Sequence, residues 1–400
     1  MERYIVISAD CHAGAELRDY KAFLESRFHE AFDDWADHYV SPWADLKAPS
    51  AYRSWDSARR IAELEDDGIV AEVLYPNTVP PFFPKGGLVA GAPSPQDYEY
   101  RLAGLRAHNR WLAAWCAESP ERRAGIGQLL LNDVEEAVRD VHWVADNGLR
   151  GGILLPGLPP GVPIEPLHSP AYDPVWRACE ERGVIINAHG GSASPDYGEY
   201  PASQLIWLME TSWFSHRPLW VFLLSGVFER FPGLRLVLSE QGSGWVRSAL
   251  DVVDQHYTHL TRGNVGELRF LNPVALTRKP SEYWQTNCFV AASFMHRDDC
   301  ARRGQIGTDR IMWGSDYPHA EGTYPFSHEA ICMTFGGVPT EEVAAMLGGT
   351  AAAVYGFDLE VLRPLADRCG PPVDEVAAGL DTIPDGATSL AFSLRPPANV

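Results

Sequence analysis

The chain has 400 residues, 46% of them apolar, and a formal charge of −20 from 33 basic and 53 acidic side chains. That balance argues against nucleic acid and anionic membranes as partners, because both need basic patches. Seven cysteines, an odd number with no Cys-x-x-Cys, argue against a disulfide scaffold and suit a reducing, cytoplasmic setting.

The first residues already read as a strand, Tyr4–Ala9, so no signal peptide is expected. After an insertion come a helical pattern over Ser57–Asp67 and a second strand over Ile69–Tyr75. Asp97–Glu118 is a long predicted helix, with Leu102, Leu105, Trp111 and Leu112 at helical spacing. Gly125–Leu131 reads as the third strand, followed by a helix over Asp133–Asn147 that starts on an N-cap aspartate and stops before Gly148. The fourth strand is Gly151–Leu155, and Asp173-Pro174 opens the next helix. Strands five and six are Val184–Asn187 and Leu234–Leu238, and Gly244–His259 follows as a helix. Tyr283–Ala291 and Arg310–Trp313 complete the strands, and Pro339–Tyr355 is the last helical pattern. The apolar stretch Leu219–Val227 is too short to span a bilayer.

Eight short, nearly continuous apolar runs suit strands buried on both faces of a parallel sheet. With helices between them they predict an α/β fold, a (β/α)8 barrel. A doubly wound sheet is the alternative, weakened because no Gly-x-Gly-x-x-Gly follows the first strand. The surplus length falls in long catalytic-face loops over residues 13–56, 77–96, 191–232 and 257–282. Residues 1–369 are expected to form one domain. Residues 370–400, rich in Pro, Gly and Ala, form a tail that wraps the surface, meets another subunit or stays loose. A homodimer or higher homo-oligomer is expected.

In a barrel, residues at the C-terminal strand ends converge on one mouth. Asp10 and His12 alternate on one face of the first strand, with Cys11 on the other. A carboxylate and an imidazole placed so make half a metal site. His189 ends strand five, Glu240 ends strand six, and Asp316 ends strand eight in Trp313-Gly314-Ser315-Asp316-Tyr317-Pro318-His319. Two imidazoles and two or three carboxylates would share that mouth.

These motifs resemble the amidohydrolase superfamily, in particular the amidohydrolase-related branch that includes aminocarboxymuconate-semialdehyde decarboxylase. Tyr172-Asp173-Pro174-Val175-Trp176 and Ala351–Asp358 add to the likeness, which covers about residues 4–358. The resemblance implies a distorted (β/α)8 barrel with a divalent ion at its mouth, held by Asp10, His12, His189 and Asp316. Two departures stand out. Asp10 replaces the first histidine of a common His-x-His, and Glu240 stands where the decarboxylases carry a catalytic histidine. Two-metal members use a carboxylated lysine on strand four. Here that strand ends Leu154-Leu155-Pro156, and the lysines Lys21, Lys47, Lys85 and Lys279 end no strand. One ion is therefore expected, zinc first and manganese as the alternative.

The leading expectation is hydrolysis of an amide, lactone or ester carbonyl of a small molecule, aromatic and cyclic ones included. The metal would activate water, Asp316 would take its proton, and Glu240 would orient water or act as a second acid/base. His319 would donate a hydrogen bond to substrate. Trp213, Arg217, Trp245 and Tyr324 are the candidate substrate contacts, with Phe214 and Tyr197 nearby in the same loops. The alternative is non-oxidative decarboxylation of a small aromatic or unsaturated acid on the same metal, with Arg217, Arg297 or His319 meeting the acid. A non-catalytic binding barrel is the third reading.

Overall fold

The computed structural model describes residues 2–41, 43, 46–47, 49–84, 91–262, 266 and 275–392. Lys85 and residues 393–400 of the tail lie outside these. Eight parallel strands follow one another in sequence order around a barrel. They are β1 (Ile7–Ala13), β2 (Ala71–Pro76), β3 (Arg123–Gln128), β4 (Gly152–Leu154), β5 (Ile186–Ala188), β6 (Leu236–Ser239), β7 (Cys288–Ser293) and β8 (Ile311–Gly314). Closure of β8 on β1 runs through the residues just beyond β8. Asp316 N donates to Asp10 O at 2.8 Å and His12 N to Tyr317 O at 2.7 Å.

Burial explains the composition of the runs. Ile7, Ala9, Val73, Tyr75, Ile126, Val237, Ala291 and Met312 point into the barrel and are shut from water. Ala351, Val354, Tyr355 and Leu362, from the helices Thr350–Tyr355 and Leu359–Cys369, join the same cluster. A second, larger cluster lies between the strands and the outer helices and holds Cys11, Leu74, Trp111, Trp176 and Trp284. With one end filled by these helices, ligand space remains at the other, where the strands end.

One buried ion pair braces β1 against β2. The Arg60 guanidinium donates to both oxygens of Glu72, at 2.7–3.0 Å, and to the carbonyl of His12 at 2.7 Å. Both residues are buried. Glu72→Gln leaves this guanidinium without its counter-charge, so we expect a loss of about 3–5 kcal/mol in denaturant unfolding. A loss below ~1 kcal/mol would show that the pair does not brace the barrel.

Several predicted boundaries move. β1 extends to Ala13, so Asp10 and His12 lie inside a paired strand. Strand three stops at Gln128, where the Asn109 side chain takes over both of its backbone groups: Asn109 Nδ2 donates to Gln128 O and Gln128 N donates to Asn109 Oδ1. Tyr283–Asn287, read as strand, belongs to a helix over Pro280–Asn287, opened by a proline at the first turn and capped by Glu282. The loop predicted over 191–232 contains a 22-residue helix, Ser203–Leu224. That helix is apolar on nearly every side, so no polar face marks its period. The last predicted helix is split by one wide π turn at Ala345–Gly349. In the tail, the helix Val373–Ala378 packs on Ser327–Phe335, with Val376 buried. Among the described residues, no helix is long and apolar enough to cross a membrane.

Candidate active site

Asp10, His12, His189, Glu240, Asp316 and His319 gather at the C-terminal strand ends, and His12, His189, Glu240 and His319 border one cavity of about 610 Å³. Backbone geometry helps aim two of them. Asp316 (φ 59°) and Glu240 (φ 64°) occupy the left-handed region just past β8 and β6. Such a conformation costs a non-glycine residue of order 1 kcal/mol or more and turns the side chain out of the strand alternation.

Each prospective ligand has one atom anchored and one left over. Ser293 Oγ donates to Asp10 Oδ2 at 2.5 Å. His12 Nδ1 lies 3.1 Å from the Pro76 carbonyl, to which it donates. His319 Nδ1 donates to Asp316 Oδ1 at 2.9 Å, while His319 Nε2 faces Asn77 Oδ1 at 3.1 Å. His189 Nδ1 sits 3.0 Å from Gly190 O and 3.1 Å from Glu240 Oε2. The other atoms, Asp10 Oδ1, His12 Nε2, His189 Nε2 and Asp316 Oδ2, are all buried without a hydrogen-bond partner. His12 Nε2 and His189 Nε2 are 3.6 Å and 3.5 Å from Asp10 Oδ1, and His12 Nε2 is 3.2 Å from Asp316 Oδ1.

Buried polar atoms are normally satisfied. Asp10, His12 and His189 each offer an atom within 4.8 Å of the others, and Asp316 meets His12 in an adjoining group; imidazole nitrogens and carboxylate oxygens so placed fit a divalent cation. The anchored atoms are the outer contacts that fix ring orientation in such sites. β4 ends in Leu154, and among the described residues no lysine borders the cavity.

Charge in the cluster is strongly interdependent. Burial lowers the pKa of His12, and His319 adds to this, so the ring is neutral and able to ligate. Burial also opposes charge on His189, but Glu240 and Asp10 outweigh it and push the ring up to about 9. The positive charge favoured there is the charge a divalent ion would bring. Burial opposes the charged forms of Asp316 and His319 as well. Their mutual contact wins, holding Asp316 well below the usual carboxylate range and raising His319 to about 10. Burial raises Glu240 to about 8; His189 opposes this while Asp316 and Asp10 add to it.

The four residues expected to touch substrate lie elsewhere. Trp213 is largely exposed on the Ser203–Leu224 helix, packed against Phe214 and Trp220. Arg217 borders an adjoining cavity of about 110 Å³, which shares Leu155–Leu158 with the first. Trp245 stacks on His216, 3.5 Å between ring centres, and Tyr324 packs edge-on against Tyr317. Arg297 pairs with Asp381. The cavity walls are instead Trp43, Phe83, Arg101, Leu105, Gln128, Trp207, Thr211 and Phe294. Trp207 and Thr211 sit at i and i+4 of the helix that the sequence does not announce, while Trp213 falls on another side of it.

The amidohydrolase family model matches residues 9–357, and the chain belongs to that family. It is 26% identical over 227 residues to gamma-resorcylate decarboxylase of Rhodococcus jostii, covering 53% of this chain and 65% of that protein. The chain thus matches just under two thirds of the length of its curated relatives. Among solved structures, 5-carboxyvanillate decarboxylase of Sphingomonas paucimobilis superposes with a TM-score of 0.64 at 20% identity, over 89% of this chain and all of that one. The 5-carboxyvanillate decarboxylase of Novosphingobium aromaticivorans, solved with manganese and 4-hydroxy-3-methoxy-5-nitrobenzoic acid, gives 0.66 at 18% identity over 88% and 96%. At such identities the structural likeness shows the barrel fold. These names overturn the expectation of hydrolysis: the curated relatives and both structures are decarboxylases by name, so the lyase alternative is the better supported one. The absence of a histidine at the end of β6 argues the other way and is outweighed; Glu240 occupies that position at the cavity edge. The ligand cluster fits a divalent metal, and the Novosphingobium structure carries manganese.

Proposed function

We propose that this protein is a metal-dependent, non-oxidative decarboxylase of small aromatic acids. The observation that carries the proposal is the set of four unpartnered ligand atoms beneath a largely apolar cavity, in a chain whose curated relatives are gamma-resorcylate decarboxylases. Asp10, His12, His189 and Asp316 would hold one ion, with manganese favoured by the neighbouring structure over zinc. When bound, the ion supplies a Lewis-acid anchor for the carboxylate and an adjacent ring oxygen.

The chain's own groups do the rest. Tyr75, Phe83, Trp207 and Phe294 border a space in which an aromatic ring is held away from water. Glu240, whose carboxyl burial pushes up to about 8, would carry the proton at the cavity edge, 3.1 Å from His189 Nδ1. That proton passes to the ring carbon bearing the carboxylate, forming a C–H bond. The C–C bond then breaks, its electron pair restores the aromatic ring, and CO2 leaves. A ring hydroxyl ortho or para to the carboxylate supplies the electrons that let this carbon accept the proton. His319 keeps Asp316 ionised and oriented through its 2.9 Å hydrogen bond.

The test is CO2 release from ring-hydroxylated benzoates and isophthalates by manganese-loaded protein. Release should stop on chelation and return when manganese is added back. Absence of CO2 across the panel with full metal occupancy would refute the reading. Asp316→Asn should retain metal, through its remaining oxygen, yet lose most turnover. Near-normal kcat in the metal-bound variant would show that the ionised carboxylate oriented by His319 is not needed for turnover.

A further inference from the structure

The cavity contains a cation with no ion pair among the described residues; Asp97, four residues earlier, acts on it only at longer range. Arg101, on the helix Tyr98–Cys116, borders the cavity and is only 6% exposed. Its guanidinium lies 3.9 Å above the Phe83 ring, and one terminal nitrogen donates to the Gly91 carbonyl at 3.2 Å. Its Nε is buried with no hydrogen-bond partner, and among the described residues no carboxylate lies within ion-pair reach. Residues 73–96, the stretch that carries Phe83 and Gly91, contain no Asp or Glu at all. Among the described residues, every other arginine this deeply buried has its charge answered: Arg60 by Glu72, and Arg123 by Glu72 and Glu118.

Leaving a buried charge unpaired is costly, so buried cations are paired or neutralised. Burial already depresses Arg101 to about 10, low for a guanidinium but still fully charged near neutrality. An arginine held this way in a ligand cavity is a receptor for an anion. Its place also separates it from the metal cluster. Arg101 and Asn109 are on the same helix, and Asn109 is bonded to the end of β3, at the level of the strand ends. Eight residue steps of helix, about 12 Å, separate them. Gly104, between the two, lets this helix press on the loop below: a methyl group there would come within 1.9 Å of the Pro81 carbonyl.

We infer that Arg101 forms a second anion subsite, and that the preferred substrates are aromatic acids with another carboxylate across the ring from the one held at the strand ends. The inference rests on the aromatic-acid reading above and specifies which acids. Arg101 is a specificity-determining residue and takes no part in the bond-breaking step.

Binding rather than turnover separates this inference from that reading. Calorimetric titration of manganese-loaded protein with benzoate, isophthalate and terephthalate should show at least one dicarboxylate binding tenfold or more tighter than benzoate. In Arg101→Met, which keeps the apolar stem over Phe83, that preference should fall to within about twofold while benzoate affinity is retained. Arg101→Lys, which keeps the charge without the planar fork, should keep part of it. A preference that survives Arg101→Met, or none in the wild type, would overturn the inference. Circular dichroism and metal content report whether each variant is folded and loaded; if Arg101→Met fails either check, the Arg101→Lys titration decides, and an undiminished preference there overturns the fork. CO2 release without Arg101-dependent selectivity sinks this inference alone. Arg101-dependent selectivity without CO2 sinks the decarboxylase reading alone.

Discussion

Alanine at both His12 and His189 is expected to empty the metal centre. In the proposed centre the two rings supply both nitrogen donors, and what remains is one unpartnered oxygen each from Asp10 and Asp316. Two carboxylates alone hold a transition-metal ion far less well than a mixed four-ligand set. Metal content should fall from about one equivalent per chain to below about a tenth, with CO2 release reduced at least about 10³-fold. The fold should survive, because the rings give up few bonds: His12 to Pro76 O, and His189 to Gly190 O and Glu240. Elemental analysis decides the matter. A full equivalent retained by the double variant would mean that the ion sits elsewhere, and two equivalents in the wild type would contradict a mononuclear centre.

Glu240→Gln is expected to cost about 10²–10⁴-fold in kcat, the range for loss of a positioned proton donor. Glutamine keeps the size of the side chain and the left-handed backbone at φ 64° need not move. It carries no transferable carboxyl proton. Binding of a non-reacting benzoate should stay within about threefold of wild type, because the substitution touches the proton and not the walls. A kcat within about fivefold of wild type would transfer the role to another group. A large loss of benzoate affinity instead would make Glu240 a binding residue.

Much of this site is legible in the amino-acid sequence. The eight apolar runs mark strands buried on both faces, and such strands order themselves into a barrel almost regardless of what lies between them. Once they are placed, Asp10, His12, His189, Glu240 and Asp316 must share one end. The walls are not legible, for a physical reason. Arg101 and Gln128 reach the cavity only through tertiary placement of a helix against a strand end, and no periodicity reports that. Trp207 and Trp213 look alike in sequence. Only the helix over Ser203–Leu224 sends one toward ligand and the other toward solvent, and its even hydrophobicity conceals it. Glu240 shows a different limit. Its position is legible, yet its identity points away from decarboxylation, because residue type alone does not report burial. Burial pushes this carboxyl up to about 8, which suits the proton-donor role proposed for it.

The most direct test of the central claim is an isotope balance. Manganese-loaded protein would be incubated with a ring-hydroxylated isophthalate in D2O, and in parallel in ¹⁸O-labelled water, with gas and aromatic product both analysed by mass spectrometry. The account predicts one CO2 per product molecule, a single deuterium on the ring carbon that lost its carboxylate, and no ¹⁸O in the aromatic product. Product formed without CO2 and carrying ¹⁸O would contradict it.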